Sequence, residues 1–201
     1  MSKDTFNEAN YEQAIIELFT QQLGYEYIYG PNIVRDYTEP LFLDRLQQSL
    51  LAINPSLPEI AIHEAIDKIR QIDTGSLVQR NEVFTDYLQN GVDVSYFDGK
   101  EQYSACVRLI DYDHPLHNNF VVANQWSIEE HSVRRADIIV FINGLPLVVM
   151  ELKSPSRTET NVSEAYAQLR NYMQEIPSLF VYNAFCVMSD LVTSKAGTIT
   201  S

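Results

Sequence analysis

The sequence predicts a mixed α/β (α+β) fold, a mixed β-sheet flanked by helices with a helical insertion in the first half of the chain. Three observations carry that prediction. Residues 11–22 and 40–90 hold apolar positions at helical spacing, the texture changes after Gly91 to short β-favouring runs broken by turn dipeptides, and one more helical stretch at 163–175 precedes a last apolar run. A chain of 201 residues with 45% hydrophobic content is long enough to bury a real core.

Residues 11–22 form the first expected helix, with Tyr11, Ile15, Leu18 and Phe19 on one stripe and Gly24 as the stop. Residues 40–72 read as two amphipathic helices separated by the turn at 55–58, and residues 81–90 add another; these make the insertion. The sheet is expected to begin after Gly91, with runs at 92–101, 103–112 and 118–128 and a hairpin at 137–153. Asp98-Gly99 and Asn143-Gly144 are dipeptides that close tight hairpins. After Ser154-Pro155, a helix at 163–175 with Asn161 or Ser163 as its cap leads to a strand at 179–190. The final SKAGTITS is a β-favouring run without a helix-ending signal, from which we expect a piece of something longer.

Fourteen basic against 27 acidic residues give a net charge of −13, which argues against a stand-alone protein that grips nucleic acid by bulk electrostatics. Any DNA contact must be local or delivered by a partner. Cys106 and Cys186 show no CxxC spacing, which disfavours a disulfide framework or zinc knuckle and fits a reducing cytoplasm; both read as buried small hydrophobes. The start lacks a signal-peptide core, and no apolar run approaches the roughly 20 residues of a membrane span. No GxxxxGK[ST] phosphate loop occurs, so ATP is not bound in that way. His114 and His117 are interrupted by Pro115 with no third soft ligand nearby, and read as a loop. Arg134-Arg135 is read equally as a phosphate contact or a solvated edge, and Trp126 as packing.

The stretch DIIVFINGLPLVVMELK carries the chemistry. Residues two apart on a strand face one side, so Glu151 and Lys153 project together while Leu152 faces the opposite layer. Folding back at Asn143-Gly144 brings Asp137 roughly opposite Met150 and Glu151. Two converging carboxylates repel, and a divalent cation with oxygen ligands, Mg²⁺ above all, keeps both ionised. Lys153 is then available to orient a water or to stabilise charge on a phosphate. The same spacing also suits a structural Glu151–Lys153 ion pair with Asp137 as a solvated acid.

That stretch, preceded by NQW and RRA, resembles the N-terminal nuclease region of the R subunit of type I restriction enzymes, in the PD-(D/E)xK superfamily. The family pattern is RPD, an NGLPLV turn and an IELK strand, and the turn with ELK is more specific than the bare nuclease motif. The resemblance implies a restriction-endonuclease-like fold, with Asp137 and Glu151 as metal acids and Lys153 as the catalytic lysine. Ala136 stands where the family usually has proline, a departure that concerns the local backbone and no ligand. QLRNY matches the family's QxxxY motif with Gln168 and Tyr172, which share a helix face. The family's first helix often supplies an acid near the metal, which implies Glu12, with Glu8 one turn earlier as the alternative. LGYEYI is similar to the family's LGY entry into a strand. The likeness is strongest over about 120–190 and weakest over the insertion.

The resemblance implies one endonuclease domain over residues 1–201, with its insertion at about 40–90 and its sheet core at about 91–201. Asp137, Glu151 and the Leu152 carbonyl would hold Mg²⁺, Glu12 would support it through water, Lys153 would assist the attacking water, and Gln168 and Tyr172 would position the site. ATP would act only in the motor domains of the longer subunit. The implied partners are double-stranded DNA and the modification and specificity subunits. The alternative from another class is a non-catalytic acidic module that binds a protein or mimics DNA's charge, in which Asp137 and Glu151 lie far apart.

Overall fold

In the computed structural model, which describes residues 7–153 and 162–201, the chain builds a six-stranded mixed sheet. Its strands are β1 (Glu26–Tyr29), β4 (Phe120–Glu129), β5 (Val133–Ile142), β6 (Leu145–Leu152), β7 (Phe185–Ser189) and β8 (Ser194–Gly197), side by side in that order. β1 runs parallel to β4 and β6 to β7, and the other neighbours are antiparallel. A separate hairpin pairs β2 (Val92–Phe97) with β3 (Gln102–Val107).

Both faces of the central strands are covered, which is why β5 and β6 read as nearly unbroken apolar runs. Alternate residues go to alternate layers. Ile139, Phe141 and Val149 join Trp126 and the buried residues of α5 (Val162–Glu175) and α6 (Pro177–Val181). Ile138, Val140, Met150 and Leu152 meet Tyr11 and Ile16 of α1 (Glu8–Glu17) on the other side. A third cluster packs α2 (Leu43–Ile53), α3 (Glu59–Arg70) and α4 (Leu77–Asn90) against β2 and β3.

Several expectations are corrected. The sheet does not begin after Gly91, because its edge strand β1 precedes the helices and the runs at 92–107 pair with each other, one face turned to the helical layer. The first helix starts at Glu8 on an Asn7–Asn10 capping box, and its last turn, Leu18–Gln22, widens to a π-helix. Ser76 and Gln79 form another capping box, which starts α4 before residue 81. The segment at 179–190 is only half strand. Pro177 starts the short helix α6, and the strand is confined to Phe185–Ser189. Leu179, Phe180 and Val181 are buried either way, so their apolarity could not distinguish the two. Ser154-Pro155 and the cap candidate Asn161 lie outside the described residues, as does the side chain of Ser163.

The hairpin register fixes where the first predicted acid sits. Ile142 pairs with Leu145 and Phe141 with Pro146, but Val140 then pairs with Val148, leaving Leu147 as an extra residue in β6. The Leu147 carbonyl accepts hydrogen bonds from the Ala184 amide at 2.8 Å and from Asn183 Nδ2 at 3.2 Å. Without this bulge Asp137 would face Met150. With it, the register Ile138–Met150 carries Asp137 opposite Glu151, on the face that also carries Ile139 and Val149. At the turn itself Gly144 has φ +80°, and a Cβ there would stand 2.5 Å from the Leu46 amide nitrogen, so only glycine lets the hairpin dock on α2.

Candidate functional site

Helix α1 is docked by Tyr11, whose hydroxyl lies 2.6 Å from Ser189 Oγ at the end of β7. One turn apart on this helix, Glu8 and Glu12 then border the ends of the central strands. Glu12 is held by two amides: Oε1 accepts from Asn124 Nδ2 at 2.5 Å and Oε2 from Gln125 Nε2 at 3.0 Å. Gln125 has φ +55°, and the β4–β5 ladder pairs Asn124 with Ile138 and Trp126 with Ala136 but skips Gln125 and Asp137 between them. The break sits beside the first predicted acid, and strained backbone of this kind collects at functional sites.

Asp137 Oδ2 accepts a 2.8 Å hydrogen bond from the Leu152 amide. Glu151 is 1% exposed; its Oε1 accepts from Lys153 Nζ, and its Oε2 is buried with no hydrogen-bond partner among the described residues. From α5, Gln168 Nε2 donates to the Tyr172 hydroxyl at 2.6 Å, which donates to the Arg135 carbonyl at 3.2 Å. Asp137, Glu151, Lys153, Gln168, Tyr172, Glu12 and Glu8 all line one cleft of about 680 Å³, together with Gln125, Arg135 and Glu164. The separation that the acidic-module alternative requires is not found.

Burial dominates the electrostatics. It pushes the Asp137 carboxyl up to about 6, against the Leu152 amide and Lys153, which favour ionisation. Burial and then repulsion from Asp137 push Glu151 to about 8 despite the Lys153 ammonium. For Lys153, burial acts downward, but Glu151, Asp137 and Glu8 outweigh it and the net shift is upward. The Tyr172 phenol is also raised, first by burial and then by Glu151, so it stays a neutral donor. An orphaned buried carboxylate oxygen beside a second carboxylate is a donor set that a hard cation would satisfy. The residues present therefore fit a Mg²⁺ site.

Arg134 and Arg135 differ in their surroundings. Arg134 is ion-paired with Glu175, and Arg135 lines the cleft. Cys106 is exposed, correcting the expectation that it is buried, because β3 lies in the small outer hairpin; Cys186 is buried. The His114–His117 loop does acquire a third ligand-type residue, Asp111, which the sequence pattern does not reveal. Asn124, Gln125 and Glu164 were missed as well. Gln125 and Arg135 lie within the NQW and RRA strings, but only the break in the ladder turns Gln125 towards Glu12.

Residues 5–201 match the family model described as type I restriction enzyme R protein N terminus. The HindI endonuclease subunit of a type I restriction enzyme from Haemophilus influenzae is 37% identical over 205 residues, covering 97% of this chain and 19% of that protein. A protein of Methanocaldococcus jannaschii that carries the name of a type I restriction enzyme endonuclease subunit, MjaIXP, is 31% identical over 191 residues, covering 90% of this chain and 18% of its own length. The SauCOLORF180P endonuclease subunit of Staphylococcus aureus is 38% identical over 79 residues, 39% of this chain and 8% of that protein. The chain spans less than a fifth of the length of these relatives.

Proposed function

The chain belongs to the family of type I restriction enzyme R protein N termini, and from that premise we propose that it is a Mg²⁺-dependent endonuclease domain that hydrolyses DNA phosphodiester bonds. The observation that carries this reading is the buried, unpartnered Glu151 Oε2 in a cleft shared with Asp137 and Lys153. Asp137, Glu151 and the Leu152 carbonyl would hold the ion, with Glu12 supporting it through water. When bound, Mg²⁺ supplies Lewis-acid stabilisation of the phosphate and lowers the pKa of water.

The chain's own residues do the rest. Lys153 keeps its proton at neutral pH, since its pKa is raised, so it acts by donating hydrogen bonds to the attacking water and by countering negative charge on the phosphate, rather than as a base. Tyr172 fixes the Arg135 carbonyl and holds Gln168 against it, leaving the Gln168 side chain at the cleft rim to meet the DNA backbone. With a net charge of −13 the domain does not collect DNA by itself. DNA is instead brought by ATP-driven translocation elsewhere in the longer subunit, in a cytoplasmic complex with modification and specificity subunits.

The test is a Mg²⁺ titration followed by thermal unfolding. Free Mg²⁺ at about 100 times its dissociation constant stabilises the native state by about 2.7 kcal/mol. For a chain of this size that is a rise in Tm of roughly 5–10 °C. Wild type should show the rise and Glu151→Ala should not. A wild-type protein indifferent to Mg²⁺ would leave the non-catalytic acidic module as the better reading.

A further inference from the structure

We propose that Asp111, His114 and His117 form a second metal site, separate from the cleft, that takes a transition-metal ion of the zinc class. Their ligand atoms all lie within 4.8 Å of one another. His117 Nδ1 is 3.0 Å and His114 Nδ1 3.7 Å from the same oxygen, Asp111 Oδ2. Bonds of about 2.1 Å in a tetrahedron put ligand atoms about 3.4 Å apart, a value those two distances bracket. The two rings, stacked 18° from parallel, would turn about their side-chain torsions so that both in-plane lone pairs meet one ion.

The loop is built to hold this arrangement. Asp111 is 5% exposed, and its other oxygen, Oδ1, accepts the His114 amide at 3.0 Å, which leaves Oδ2 aimed at the two imidazoles. Asn118 clamps the Asp111 backbone at both ends: its Oδ1 accepts the Asp111 amide and its Nδ2 donates to the Asp111 carbonyl, each at 2.9 Å. Asn118 Oδ1 also accepts from Asn143 Nδ2 at 2.8 Å, and Asn143 is fully buried in the β5–β6 turn. Pro115 opens a short 3-10 turn ending at His117, and this brings the two rings face to face with centroids 4.9 Å apart. Asp111 is thus a ligand oriented by hydrogen bonds of its own, a usual mark of a metal centre.

Two imidazoles and one carboxylate select zinc-like ions over Mg²⁺, which prefers all-oxygen surroundings. The histidine side chains are 67% and 63% exposed, so the remaining coordination positions open to solvent and accept water or a ligand from outside the chain. The site lies at the turn end of the hairpin. Asp137 is six residues up β5 from Asn143, roughly 20 Å away at about 3.3 Å per residue. An ion here would staple the 111–118 loop and, through Asn118 and Asn143, the turn from which the cleft strands run.

The experiment uses the chain in a Glu151→Ala background, which removes the most buried of the cleft acids, and compares it with the same background carrying His114→Gln and His117→Gln, so that any Zn²⁺ left in the cleft is common to both. Zn²⁺ is titrated calorimetrically, and Co²⁺ is followed by its visible absorption as a report on imidazole ligation. We expect one Zn²⁺ per chain in the Glu151→Ala protein and an affinity at least about 100-fold lower when both histidines are replaced. Replacing the histidines also removes the 3.0 Å contact of His117 Nδ1 with the buried Asp111 Oδ2, so the metal-free Tm of both proteins is measured beside the titrations. Zn²⁺ binding equal in both, or absent from the Glu151→Ala protein, overturns the site. Neither result bears on Mg²⁺ in the cleft.

Discussion

Adding Mg²⁺ to the metal-free protein at pH 7 should release about one proton. The magnitude comes from the two buried acids, since metal ligands must be deprotonated before they bind. With the two interacting carboxyls raised to about 6 and about 8, the Asp137–Glu151 pair holds about one proton at pH 7. Binding empties both. At pH 9 the same sum falls to about one-tenth of a proton. Titration calorimetry in two buffers of different ionisation enthalpy reads the number directly, and Mg²⁺ affinity should climb with pH through about 8 and level off above it. Both groups have folded pKa values above their ordinary 3.8 and 4.5, so their contribution to stability is fully present below those values and is lost as pH rises through about 6 and about 8. The metal-free protein therefore weakens on the alkaline side, where Mg²⁺ helps most. A release independent of pH, or one that persists in Glu151→Gln, would refute the assignment of the proton to that carboxyl.

Three other outcomes are expected. Gly144→Ala places a methyl 2.5 Å from the Leu46 amide at a φ of +80° and should cost more than about 2 kcal/mol in urea unfolding; a loss under about 0.5 kcal/mol would contradict the docking of the turn on α2. Tyr11→Phe removes the 2.6 Å contact to Ser189 and should cost about 1 kcal/mol, with α1 amides exchanging faster while those of β5 are unchanged; uniform exchange changes would speak against a local role. Tyr172→Phe releases both Gln168 and the Arg135 carbonyl, and should lower DNA cleavage by the assembled enzyme about tenfold while leaving the Mg²⁺-induced Tm rise intact; loss of that rise would mean that the hydroxyl serves the metal.

Much of the site was legible because its spacing is local. Glu151 and Lys153 share a strand face and Gln168 and Tyr172 a helix face, and both relations come from periods of 2 and 3.6 that any sequence displays. The hairpin and five of the six α-helices among the described residues were legible for the same reason, through Asn143-Gly144 and apolar stripes. What stayed hidden was long-range. The parallel pairing of β1 with β4 joins segments nearly 100 residues apart, and nothing in either segment names its partner. The Asp111 ligand was hidden in a loop whose shape is set by Asn118 and by an asparagine of a different hairpin.

The sequence by itself determined which residues carry charge on otherwise apolar strands, and so which groups were available for chemistry. Only the tertiary structure decided that Asp137 and Glu151 face each other. That depends on the single extra residue, Leu147, whose carbonyl finds its partners in the chain just before β7. A strand alternates faces at every residue, so a shift of one position exchanges every inward side chain for an outward one. The bulge therefore decides whether Asp137 lies opposite Glu151 or opposite Met150, and a contact with Asn183, 36 residues away, stabilises it.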